Sequence, residues 1–287
     1  MIDLGFSVLC SSLIFVVFKL FDTYKVQTLF AIITNYVVAC ATGLFFYESG
    51  VNLATIPAKP WFFGTLVLGV LFIVIFNIMA KTAQTVGVSV ASVATKMSLV
   101  IPVLVGVIAY EEQLSFLKVI GILLAMAAVY FASMKERDFK FSKNTLILPI
   151  LVFLGSGIID ASINYFRQTA LTEDEFPLFS ATVFGAAAIS GFVFIGLKAM
   201  KQSLKINVKN ILGGLALGIP NYFSIFFLLR ALQNNVLNSA SVFTLNNVAI
   251  VMFSTLLGIL LFKEKLGTKN WLGIGMAIAS ILLVALF

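Results

Sequence analysis

Of the 287 residues, 61% are hydrophobic and 11% are charged, with a formal net charge of +7 and a mean hydropathy of +1.09. That composition excludes a soluble domain, and once the stretches near the ~20 apolar residues that cross a bilayer core are set aside, no room remains for a nucleotide-binding domain. The positive charge sits mostly in connections, where it reads as membrane topology rather than nucleic-acid binding, and the absence of histidine removes His-based haem, zinc and proton-relay chemistry.

Apolar stretches predict ten helices, at 2–20, 27–47, 60–80, 86–110, 115–133, 145–168, 177–199, 209–231, 236–262 and 270–286. The first has neither a basic leading segment nor a small-residue cleavage site, so it is expected to be retained. Cys10 and Cys40, in the bodies of the first two helices, read as small packing residues. Asn35 and Tyr36 in the second helix and Asn77 in the third are minor polar candidates. Pro60 and Pro177 open helices, where the missing N–H costs nothing, and Trp61 and Trp271 suit the membrane interface. Short joins, Lys81-Thr82-Ala83-Gln84 and Gln233-Asn234-Asn235, link the third helix to the fourth and the eighth to the ninth.

Two charges fall in the middle of predicted spans: Lys96 in the fourth helix and Asp160 in the sixth. An ionisable side chain at that depth is a functional hypothesis by default, because a partner or water must offset its desolvation; a structural ion pair is the alternative. Asp160, Asn164 and Arg167 share one helix face at i, i+4 and i+7, following the small residues Gly155-Ser156-Gly157. The stripe lines a cavity or seals against another helix. Arg167, near the helix end, is either a gate cation or an interface anchor. In the second half, Pro220-Asn221 kinks the eighth helix and Asn246-Asn247 lies inside the ninth.

The chain repeats itself. Gly64-Thr65-Leu66-Val67-Leu68-Gly69 returns as Gly213-Gly214-Leu215-Ala216-Leu217-Gly218, and at the same shift Lys81 meets Arg230 and Ala91-Ser92-Val93 meets Ala240-Ser241-Val242. From Gly106 onward the offset grows by three residues: Glu112, Leu114, Gly121 and Ala125 meet Glu264, Leu266, Gly273 and Ala277. The three extra residues mean a locally unwound ninth helix near Asn246-Asn247 or a slightly longer one. Five crossings per repeat would insert the halves upside down relative to each other, the architecture of secondary transporters. The domains are therefore 1–140, a first five-helix repeat, and 141–287, a second, inverted one. Lys81 and Arg230, at short turns on opposite faces, are gate cations or anchors.

Ten crossings put both termini on one side. Alternate connections hold fourteen Lys and Arg residues, among them Lys19, Lys25, Lys135, Lys205 and Lys265, whereas the opposite set holds Lys59, Lys118, Arg167 and Arg230. The rich set is expected in the cytoplasm and both termini outside, in a bacterial inner membrane. Glu111, Glu112, Glu173, Asp174 and Glu175 then face outward.

The fourth and ninth helices end in Tyr110-Glu111-Glu112-Gln113-Leu114 and Phe262-Lys263-Glu264-Lys265-Leu266, an apolar residue, an acid, a spacer and Leu, and Gly121 and Gly273 follow. In these paired motifs, and in its ten-helix 5+5 pattern, the chain resembles the drug/metabolite transporter (DMT) superfamily, in particular its EamA-like branch. It departs from the usual pattern in carrying Glu111 and Lys263 where Gly often precedes the acid, and in its charge-predicted outward termini. The resemblance implies an all-α integral membrane protein that carries small metabolites, commonly an exporter, with Lys96 and Asp160 brought near one central cavity.

The function expected is secondary transport of a small polar metabolite, an amino acid or related carboxylate, by alternating access around a midplane site. Lys96 is expected to bind an anionic group, and Asp160 to hold Lys96 when the site is empty or to bind an amino group; Asn164, Asn221, Asn246 and Asn247 are further binding candidates. A carrier of phosphorylated or nucleotide-linked sugars is the alternative, and a non-transporting scaffold or receptor a third reading. No enzyme is expected: Glu173-Asp174-Glu175 is a poor metal cage, and no catalytic residue, metal or cofactor is assigned. The partners expected are a solute and the bilayer, not nucleic acid; a homodimer is left open.

Overall fold

The computed structural model describes residues 2–45, 53–110, 115–132, 143–172, 175–200, 207–233 and 239–286, and all the regular structure among them is helical. In chain order the helices are α1 (Ile2–Thr23), α2 (Thr28–Phe45), a short 3-10 turn (Leu53–Ala58), α3 (Phe62–Thr85), α4 (Val88–Met97) and α5 (Val100–Tyr110). Then come α6 (Phe116–Ala132), α7 (Lys143–Thr169), α8 (Phe176–Ala199), α9 (Val208–Gln233), α10 (Ser239–Phe262) and α11 (Thr268–Leu286). Among the described residues eight helical segments are long and apolar enough to cross a bilayer, α4 and α5 contributing one of them together, and α6 and α11 supply shorter apolar helices. The protein is a multi-pass membrane protein.

The stretch predicted as one helix over 86–110 is two, separated by a turn at Ser98 and Leu99. Pro102 is the physical reason. It has no N–H to give the Ser98 carbonyl, and its ring crowds that carbonyl; the Ile101 N–H bonds it instead, at 2.9 Å. Pro102 then sits in the first turn of a new helix, where its fixed φ is accommodated. By contrast α10 runs unbroken through Asn246-Asn247, and α9 carries Pro220 inside it. Helix α3 extends past Lys81 to Thr85, so the predicted join there is helical. Glu111, Glu112, Glu173 and Asp174, and the connection at 234–238, lie outside the described residues.

Without a hydrophobic drive between helices in lipid, close packing and satisfied polar groups hold the bundle. The most extensive contacts join helices from opposite halves of the sequence: α6 with α11, α2 and α1 with α9, and α2 and α3 with α8. Small residues set these approaches; a Cβ at Gly69 on α3 would stand 2.7 Å from the Ala186 backbone of α8. Hydroxyls close on their own helices, as Thr34 to Phe30, Thr82 to Ile78 and Thr95 to Ala91, which spares unpaired donors in hydrocarbon. Phe63, Val67 and Phe192 to Phe194 are exposed and face the lipid belt.

At one end of the bundle, Glu175 just ahead of α8 pairs with Lys59 and accepts a hydrogen bond from the Trp61 indole at 3.2 Å, tying the entry of α3 to that of α8. The Lys59 hydrogen bond holds this carboxyl below its ordinary value of 4.5. A lowered carboxyl stabilises the fold above the ordinary value, and that contribution is lost as pH falls through the lowered one. The melting temperature of the wild type should therefore exceed that of Glu175→Gln by a constant margin at neutral pH, and the margin should shrink on acidification below 4.5. A margin independent of pH down to the acid limit would show that the charge contributes nothing.

Candidate functional site

The break between α4 and α5 opens on an interior cavity of about 300 Å³, walled by α1, α3, α4, α7, α9 and α10. Lys96 reaches it from the last turn of α4, and Asp160 from the middle of α7. The exposed residues Leu151, Leu154, Ile158 and Tyr165 mark the lipid face of α7. Asp160 lies two positions past Ile158, about 200° around a helix of 3.6 residues per turn, so the exposure of its carboxylate is to the cavity and not to lipid.

The two charges share the cavity without touching. No nitrogen of Lys96 comes within 4.0 Å of Asp160, since the ion pairs among the described residues lie elsewhere. Asp160 Oδ2 instead lies 3.3 Å from Ser98 Oγ, a weak second contact of a hydroxyl that donates to the Thr95 carbonyl at 2.6 Å, and Ser98 is placed there by the helix break. The Lys96 ammonium has no hydrogen bond or ion pair to any described residue.

One turn before Asp160, Ser156 lines the same wall; it is 7% exposed and its hydroxyl has no partner. Asn247 of α10 completes the polar side. The opposite side is apolar, formed by Phe15, Phe72, Phe76 and Met79. A second crevice of about 510 Å³, between α3, α5 and α7, carries no charged side chain on its wall. The first cavity therefore brings opposite charges to one polar wall without a direct ion pair, and it is the candidate site.

The structure brings together Lys96, Asp160 and Asn247 from the sequence-predicted set. Asn164 lies on the Asp160 face one turn further on, half-buried and outside the cavity wall. Asn221 is buried between α9 and α2, where its amide donates to Asn35 Oδ1 at 3.1 Å. Asn246 is buried at 3% exposure, off the wall, with its carbonyl oxygen unpartnered. Lys81 is exposed one turn before the end of α3. Arg230, near the far end of α9, faces Asp3 at 3.6 Å and lies over the Phe226 ring. Arg167 belongs to α7, but its side chain is outside the described residues. Ser98 and Ser156 escaped sequence reading because serine is common in such helices; Pro102, four positions after Ser98, was the signal that could have found the first.

Residues 147–286 match the model of the EamA-like transporter family. A Haemophilus influenzae protein described as "Uncharacterized protein" is 29% identical over 288 residues, covering 97% of this chain and 96% of that one. A solved structure titled "Crystal structure of protein" shares the fold, with a TM-score of 0.57 and 15% identity over 98% of this chain and 96% of that chain.

Proposed function

Because the chain belongs to the EamA-like transporter family, within the DMT superfamily, we propose that it is a secondary transporter of a small metabolite that is both anionic and cationic, an amino acid or close relative. The observation that carries this reading is the Lys96 ammonium sharing one cavity with the Asp160 carboxylate without a direct ion pair. A carboxylate of the solute would pair with Lys96 and its ammonium with Asp160, each replacing water by a charge-assisted hydrogen bond. The aromatic wall would take the solute's carbon skeleton.

Ten crossings, counting α4 and α5 as one, form two inverted five-helix repeats in this reading. The halves rock about the cavity and expose it to each side in turn. The Lys/Arg distribution puts the connections at 24–27, 133–142, 200–207 and 263–267 in the cytoplasm and both termini outside, in an inner membrane, with export as the direction. A single central cation favours a carboxylate over a phosphorylated sugar, which would call for more positive charge.

The test is a thermal-unfolding screen of the detergent-purified protein against amino acids, carboxylic acids without an amino group, and sugar phosphates. A ligand that binds only the folded state raises stability by RT ln(1 + [L]/Kd), about 2.7 kcal/mol at 100 Kd. Stabilisation by amino acids, absent with their deaminated acids, is the expected result. Stabilisation by sugar phosphates alone would overturn the substrate class and leave the cavity as the site.

A further inference from the structure

Between the cavity and the end of the bundle that carries Gly87 and Glu264, the path is filled by α4 itself. Val88, Ser89, Val90, Ala91, Ser92, Val93 and Ala94 are 0–6% exposed, and the polar wall of the cavity starts directly after them, at Thr95 and Lys96. The first two turns of α4 thus stand as a packed plug between that polar wall and this end of the bundle.

The plug is held from the other half of the chain. After α10, Lys263 takes a positive φ of 53° and turns the chain back, so that the next residue, Glu264, reaches the start of α4. Its Oε1 accepts the Val88 N–H at 2.7 Å, and its Oε2 accepts the Ser89 hydroxyl at 3.0 Å and the Ser89 N–H at 3.4 Å. Helix amides left unpaired at an N-terminus are satisfied here by a carboxylate, which the helix dipole also favours.

The approach depends on two glycines. Gly87, with φ +143°, adopts a backbone that side-chain-bearing residues rarely take, and a Cβ on Gly258 would stand 2.6 Å from Glu264 Oε2. Ser254 Oγ donates to Ser92 Oγ at 2.7 Å one turn deeper, on the same α4–α10 seam.

We propose that Glu264 is a positioning residue that pins α4 as the plug of this end, and that its release from Val88 and Ser89 is the step that opens the cavity there. The pin acts on the solute through Lys96, which rides on the same short helix. The inference rests on the reading of the cavity as a transport site, but its test needs no solute.

Side-specific cysteine labelling in membrane vesicles of both orientations tests it. The full chain carries Cys10→Ala and Cys40→Ala, with Ser156→Cys as the probe on the cavity wall; Ser156 makes no hydrogen bond that the probe would break. A membrane-impermeant maleimide added from the Glu264 end should react slowly with this background. Glu264→Ala should raise that rate at least about tenfold, as expected for a population shift on losing charge-assisted hydrogen bonds, and should not raise it from the opposite end.

Glu264→Gln keeps an acceptor for the Val88 N–H, and Ser89→Ala removes only the hydroxyl bond; each should give a smaller increase from the same end. These milder variants decide the matter where Glu264→Ala does not fold. Equal rates in all variants overturn the pin, and so does acceleration from both ends, the mark of general loosening. Should Lys96→Met leave solute binding intact while the labelling shifts as expected, the transport-site reading fails and the pin stands.

Discussion

Lys96→Met is expected to remove solute binding with little effect on the fold. Loss of a charge-assisted hydrogen bond to the solute is worth about 1.5–3 kcal/mol, or roughly 10- to 150-fold in Kd. The effect on stability should be small compared with that of an ordinary core mutation. Lys96 has no hydrogen-bonded partner among the described residues, so an apolar side chain of similar length breaks no direct bond and removes the cost of burying the ammonium, which offsets the loss of an opposite charge facing Asp160. Titrated binding and thermal midpoints of the same two preparations check both halves. A variant that melts markedly earlier and still binds solute would make Lys96 a structural cation. Asp160→Asn should weaken binding as well, while keeping the shape of the side chain and its oxygen near Ser98 Oγ.

Gly273→Ala is expected to be among the most damaging Gly→Ala exchanges at the described glycines. A Cβ there would fall on the Ala132 backbone nitrogen of α6, with the Ala128 carbonyl oxygen 2.9 Å away. Backbone cannot rotate aside as a side chain can, so α6 and α11 must separate along their whole contact. Around them Ala125, Ala128 and Ala277 are fully buried, and Ser280 Oγ donates to the Gly121 carbonyl across the same seam at 2.7 Å. Overpacking of this kind costs about 1–3 kcal/mol and occasionally more. Gly275→Ala is the control: its Cβ would meet nothing within 4 Å, and better helix propensity should stabilise it by about 0.5–1 kcal/mol. Unfolding of the two variants in parallel, by heat or by denaturing detergent, should separate them in sign. Matching midpoints would refute the tight α6–α11 seam.

The sequence by itself determined what depends on local composition. Apolar length placed the membrane segments, since each span must bury its own backbone hydrogen bonds. Lys96 and Asp160 stood out because a charge amid apolar residues is costly wherever its helix packs. The break after Met97 was also local, written in Pro102, and was hidden only by the continuous hydropathy of 86–110.

Tertiary structure alone decided which polar groups meet. Asn221 and Asn247 are alike in sequence, both asparagines inside apolar helices; one is engaged by Asn35 of α2 and the other faces the cavity. Ser156 read as one of three small residues, and only the cavity around it reveals its free hydroxyl. Glu264 was legible as half of a repeated motif, but its hold on Val88 and Ser89 spans the two halves of the chain. Hydropathy reports how each residue partitions between water and lipid, one position at a time. The partner of a buried polar group is set by which helix faces pack together, and that is a property of the whole bundle.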